Sequence, residues 1–172
     1  MPITDSAATL KWYLSGGAAN ANPDKSLGGA RSMTQVAGGV DNLFDDVTSD
    51  EVVAGEVTYR CMFFRNEDPN ASGLAAAVAW INQQSEAGDV IAIGIDPAGK
   101  NAAAATPVDE FTAPAGVAFS TPLTSVTGLA LPGAPYLQND YIAIWVRRTV
   151  SAGIPAATAL DQASVRIEGT TV

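Results

Sequence analysis

The chain has 172 residues, 47% of them hydrophobic and 16% charged, which supplies enough apolar surface for one folded domain and argues against intrinsic disorder. Eighteen acids against nine bases give a net charge of −9, so a nucleic-acid backbone or an anionic membrane is repelled at long range, and neither is expected as a direct partner. Histidine is absent and Cys61 is the single cysteine, which excludes an internal disulfide, the Ser-His and Cys-His nucleophile arrangements, and zinc sites built from His and Cys.

The first predicted strand covers residues 9–15, where Leu10, Trp12 and Leu14 alternate with Thr9, Lys11, Tyr13 and Ser15 and leave one apolar face. From residue 16 the chain turns to Gly, Ala, Asn and Pro without any period, so residues 16–47 read as an extended loop or arm, either functional or ordered against another subunit. Five acids surround the pair Leu43-Phe44 in residues 41–51, which reads as an acidic loop pinned by that pair.

Residues 56–66 form the strongest predicted strand, with Val57, Tyr59, Cys61 and Phe63 on one face and Thr58, Arg60, Met62 and Phe64 on the other, both partly covered. Turn formers at residues 67–73 lead to strands over 74–82 and 89–95, followed by a hairpin-type turn at 96–100. Residues 101–115 read as irregular, and 117–119 and 128–131 as short strands. The C-terminal part reads as a long-looped hairpin of residues 141–148 with 163–168, in which Ile142, Ile144 and Val146 face away from Tyr141, Ala143, Trp145 and Arg147. About seven or eight short strands with intervening turns predict an all-β fold, a β-sandwich of immunoglobulin-like or jelly-roll topology, as a single domain over residues 1–172.

The search for chemistry returns little. The turn Gly94-Ile95-Asp96-Pro97-Ala98-Gly99-Lys100 lacks the glycine spacing and the Ser or Thr of a phosphate loop. Asp41, Asp45 and Asp46 are a weak candidate for a calcium site, because hard cations take several carboxylate oxygens, but the alternating acid spacing of a helix-loop-helix site is missing. No acid pair is marked out for glycoside hydrolysis, and no cofactor is expected. Trp12, Trp80 and Trp145 are assigned to the sandwich core or its rim, with sugar stacking as the alternative.

Several segments together carry a resemblance: Tyr13-Leu14-Ser15-Gly16-Gly17-Ala18, Ser26-Leu27-Gly28-Gly29-Ala30, Asn42-Leu43-Phe44-Asp45-Asp46-Val47, Glu56-Val57-Thr58-Tyr59-Arg60-Cys61, the run from Ala143 to Val150, and Ser164-Val165-Arg166-Ile167-Glu168-Gly169. Over nearly its whole length the chain resembles small virion structural proteins of tailed bacteriophages. The resemblance implies a non-enzymatic virion protein, made in the host cytoplasm, most simply a capsid decoration (cement) protein that bridges subunits of the major capsid protein. It would act as a closed homo-oligomer such as a trimer. A tail or neck component contacting other virion proteins, and a carbohydrate-binding module touching the host surface, are the alternatives. The candidate partner-binding residues are Leu27, Arg31, Leu43, Phe44, Arg147 and Arg148, with residues 16–47 supplying much of the contact.

Overall fold

The computed structural model describes residues 2–4, 9–37, 42–69, 73–86, 88–154 and 162–171. Eight strands form two four-stranded antiparallel sheets: β1 (Pro2–Thr4), β8 (Ser164–Thr171), β4 (Leu74–Gln83) and β6 (Leu129–Ala130) in that order make sheet A. In sheet B the order is β2 (Leu10–Leu14), β3 (Glu56–Asn66), β7 (Tyr141–Val150) and β5 (Val90–Ile95). The protein is an all-β sandwich.

Only β2 and β3 are consecutive strands that pair with each other; every other connection carries the chain from one sheet to the other. The C-terminal hairpin expected from the sequence therefore does not exist. β7 pairs with β3 and β5, whereas β8 pairs with β1 and β4, so the link between β7 and β8 crosses between the sheets. The turn after β5 is likewise no hairpin, since β5 pairs with β7 on one side and touches Ser120 on the other. Alternation reports which face a side chain takes, but strands of equal length and hydrophobicity do not announce their partners.

The face assignments follow alternation closely. Leu14, Met62, Phe64, Ile142, Ile144, Val146 and Ile93 of sheet B meet Leu74, Ala77, Ala79, Ile81 and Ile167 of sheet A in the main core. The opposite face of sheet B buries a second cluster of Tyr13, Cys61, Phe63, Ala143 and Trp145. Strands apolar on both alternations need cover on both faces, and here the second cover is a layer of loops rather than a third sheet. β2 is accordingly covered on both sides, with Ser15 fully buried and Tyr13 at 5% exposure, where a single apolar face was expected.

Residues 16–37 build much of that layer. They fold back on their own sheet: Ser32 and Val36 donate backbone N–H groups to Leu14 and Trp12, Leu14 donates to Thr34, and Cys61 donates to Ser26. Gly28 and Gly29 run against the second half of the layer, with Gly29 and Ala104 exchanging both backbone hydrogen bonds. Gly28 sits at φ +84°, and a Cβ there would strike the Ala105 carbonyl and press on the Trp145 ring, so only glycine fits. Asp96, 2% exposed, pins the layer from within by accepting from the Ala98 and Ala105 N–H groups and from the Trp145 indole at 2.9 Å.

The edges of sheet B are closed as well. Residues 32–36 run along β2, and on β5 the Gln84 amide takes both the N–H and the carbonyl of Ile91, at 2.8 and 2.9 Å, while Ser120 pairs with Ile93. Blocking exposed strand edges in this way prevents edge-to-edge aggregation. Residues 117–119, expected as a strand, form none and only flank that single bridge, where they run close over Gly94; a Cβ there would lie 2.5 Å from Val117.

Ser49–Ala54 forms a short helix, α1, whose first turn overlaps the end of the segment 41–51 expected as an acidic loop. Its signal was the Thr48-Ser49-Asp50-Glu51 capping box: Thr48 receives the Glu51 N–H and Glu51 receives the Thr48 N–H.

Candidate functional site

The six candidate partner-binding residues do not form one site. β7 alternation sends Arg148 inward and Arg147 outward, and the two arginines meet opposite fates.

Arg148 is 4% exposed. Its guanidinium donates to the Asp45 carbonyl at 2.6 Å and pairs with the Asp45 and Glu51 carboxylates at 3.4 and 3.1 Å. Phe44 lies between two guanidiniums, with Arg148 at 5.0 Å and Arg60 at 5.6 Å from its ring centre. Arg60, equally buried, pairs with Glu110 and reaches Asp24 at 3.8 Å. Leu43 is buried in the main core beside this cluster. Leu43, Phe44 and Arg148 thus hold loop 42–48 and α1 onto the sandwich, and their charges are answered within the chain.

Glu51 and Glu56 share this cluster. Partial burial pushes Glu51 up, but hydrogen bonds from Thr48 and Glu56 and the charge of Arg148 hold it below the ordinary value. Burial, the hydrogen bond to Glu51 and the repulsion of Glu51 raise Glu56, against the pull of Arg148. Above the cluster lies an open concavity of about 460 Å³ lined by Asn22, Pro23, Asp24, Asp45 and Asp46. Asp45 is committed to Arg148, and Asp41 lies outside the described residues. Among the described residues no group of three or more His, Cys, Asp or Glu side chains is placed to hold a metal ion.

On the outer side, Leu27 is half-buried in the loop layer, and Arg31 stacks over Tyr13 and Tyr141 at 4.8 and 5.4 Å while donating to the Ser32 carbonyl. Arg147 stands at the other end of the same face. It lies 5.3 Å from the Phe119 ring, which itself packs against Tyr59 at 5.4 Å. Among the described residues no carboxylate pairs with Arg147, although the chain carries twice as many acids as bases. One register step further along the strands, Val57 and Val90 flank Thr149 in a row, 37% and 42% exposed. Here the loop layer stops and the sheet face is open.

Beside this open end runs the loop Val108-Asp109-Glu110-Phe111. The Glu110 carbonyl accepts the Tyr59 N–H at 2.8 Å and fixes the loop to β3. Val108 and Phe111 point outward, 88% and 55% exposed. The Asp109 carboxylate accepts from the Thr112 hydroxyl and the Phe111 N–H, and these bonds hold it below the ordinary carboxylate range. The patch thus offers an unanswered cation, apolar side chains and a carboxylate, with neither histidine nor thiol.

Sequence reasoning picked Arg147 but missed its companions. Val57, Tyr59 and Arg147 belong to one face by alternation, so two of them were within reach; Phe119 and the 108–111 loop come from irregular segments that carry no period. The tryptophans also separate. Trp145 is fully buried with its indole bound to Asp96, and Trp12 packs against the main core. Trp80 instead faces the outer side of sheet A, half-buried, with its cross-strand partner Arg166 5.9 Å from the ring, so of the two expected places it takes the rim and not the core.

Compared with known protein families, with curated proteins and with solved structures, the chain has no match. The reading of the site therefore stands on its own residues.

Proposed function

We propose that the chain is a non-catalytic structural subunit of a tailed-bacteriophage particle, a capsid decoration protein that seats on the lattice of the major capsid protein in many copies. The observation that carries a docking role is the Arg147 end of sheet B. Among the described residues this guanidinium, like those of Arg31 and Arg166, has no carboxylate partner, and it sits beside exposed valines, whereas Arg60, Arg65, Arg148 and Lys100 are paired internally. Sealed edges on sheet B suit a subunit packed at high local concentration, because they prevent uncontrolled strand pairing while side-chain docking remains available. The phage setting rests on the resemblance of the segments from Tyr13 to Gly169.

Deleting residues 16–47 would not test this reading, since that segment covers a core. The direct test incubates the full chain with capsids lacking a decoration protein and images them by electron cryo-microscopy. Regular added density at capsid symmetry positions is expected. Bare capsids beside labelled tails or necks would move the protein to those parts of the particle, and no binding to any particle component would end the virion reading.

A further inference from the structure

We propose that the Arg147 end of sheet B is a self-association surface, in which the 108–111 loop of a second copy lays Val108 and Phe111 on the Val57 and Val90 row and sets its Asp109 carboxylate on the Arg147 guanidinium. This rests on the assembly reading above and assigns its docking face to contact between copies of the chain, leaving the capsid contact to another part of the surface.

Charge and apolar complementarity carry the choice of occupant. The sheet end presents one cation amid apolar side chains, with Val57 and Val90 exposed on either side of Thr149. Its complement is a carboxylate flanked by apolar side chains, and loop 108–111 of this chain is such a segment, with Val108 and Phe111 outward around an exposed Asp109. Asp109 does not pair with its own Arg147 and instead accepts from the Phe111 N–H and the Thr112 hydroxyl of its own loop. Its carboxylate remains at the surface with acceptor capacity to spare, since a carboxylate offers about four lone-pair sites.

The two halves of the contact lie next to each other. Tyr59 is the cross-strand partner of Arg147, and its N–H holds the Glu110 carbonyl on the opposite edge of β3. A two-fold axis near Tyr59 then brings each loop onto the other copy's guanidinium, so one pairing makes the contact twice, as an isologous interface does. The surrounding cover also fits. The loop layer closes the outer face of sheet B from Tyr13 to Trp145 and stops at the row the second copy would cover.

The experiment is sedimentation equilibrium on the full chain and on Arg147→Glu, Asp109→Lys, Phe111→Ser and the double variant Arg147→Glu/Asp109→Lys, with circular dichroism as the check on folding. The wild type is expected to form a concentration-dependent dimer. Each single variant should weaken it by about tenfold or more, and the double variant should recover much of the loss because the ion pair is re-formed with its charges exchanged. Added salt should weaken the wild-type dimer, since the pair is near the surface. A wild type that stays monomeric at the highest soluble concentration overturns the proposal. So does a dimer indifferent to Arg147→Glu and Phe111→Ser. The two readings fail separately: a monomer that decorates capsids removes the self-contact alone, whereas an Arg147-dependent dimer that leaves capsids bare removes the capsid role alone.

Discussion

Arg147 and Arg148 are neighbours in the chain and opposites in the fold. Arg148 is enclosed by Phe44, Asp45 and Glu51, each of its interactions closed within the molecule. Arg147 has the Phe119 ring beneath it and, among the described residues, no carboxylate paired with it. One residue of strand alternation separates a guanidinium closed in by carboxylates from one whose proposed role is docking. Their shared sequence label, a basic pair, conceals both roles. The same division runs through sheet B as a whole, whose outer face is sealed by loops along most of its length and open at one end.

The sealed part should be the more sensitive by a wide margin. Trp145→Ala removes the largest fully buried side chain and one of the three hydrogen bonds that hold the buried Asp96 carboxylate, so a loss of about 3–5 kcal/mol is expected by urea unfolding. A loss below about 1 kcal/mol would mean that the loop layer is not a cooperative part of the core.

The two arginines sharpen the comparison directly. Arg148→Ala should cost about 3 kcal/mol, because Asp45, 66% exposed, returns to water whereas Glu51, 11% exposed, is left without its cation beside Glu56. Arg148→Met keeps the stem packed on Phe44 and should recover part of that loss. Arg147→Ala should change stability by less than about 0.5 kcal/mol. Equal losses from the two alanine variants would erase the distinction between them.

The sequence made some of this visible and hid the rest for physical reasons. Period-two alternation located β3, β4, β5, β7 and β8 and divided Ile142, Ile144 and Val146 from Ala143, Trp145 and Arg147 as the structure does. It was silent on pairing, and nearly every connection changes sheets, so the expectation of a terminal hairpin failed. Residues 16–37 were read as irregular, and they are. What composition could not convey is that their glycines and serines are cover, since Gly28, Ser15 and Ser26 act through close approach and hydrogen bonds rather than hydrophobicity. The candidate site was legible at Arg147 alone, because its other half is loop.

Sheet edges give an intermediate effect. Gln84→Ala uncovers the Ile91 N–H and carbonyl on the outer edge of β5. A loss of about 1 kcal/mol is expected, together with faster aggregation in light-scattering assays at high protein concentration. Unchanged aggregation would show that Ser120 alone suffices to guard that edge.

The smallest effect concerns the inner cluster and carries a sign. Glu56 is raised by burial and by its contact with Glu51, so the folded state favours its protonated form. That contribution is fully present below the carboxyl's unfolded value and is lost as pH rises through the folded one, leaving a cost at neutral pH. Glu51, held low, behaves in the opposite sense, contributing above its unfolded value and losing that contribution as acid reaches its folded value. Glu56→Gln removes the neutral-pH cost while keeping a hydrogen-bond donor for Glu51. The variant should therefore be more stable than the wild type by about 0.5 kcal/mol near neutral pH, the scale of a partly screened charge contact. The gain should vanish as pH falls below the usual glutamate range, where both chains carry a neutral group. Urea unfolding at the two pH values decides it: a loss of stability at neutral pH that disappears in acid would mean that Arg148, not Glu51, governs the charge of Glu56.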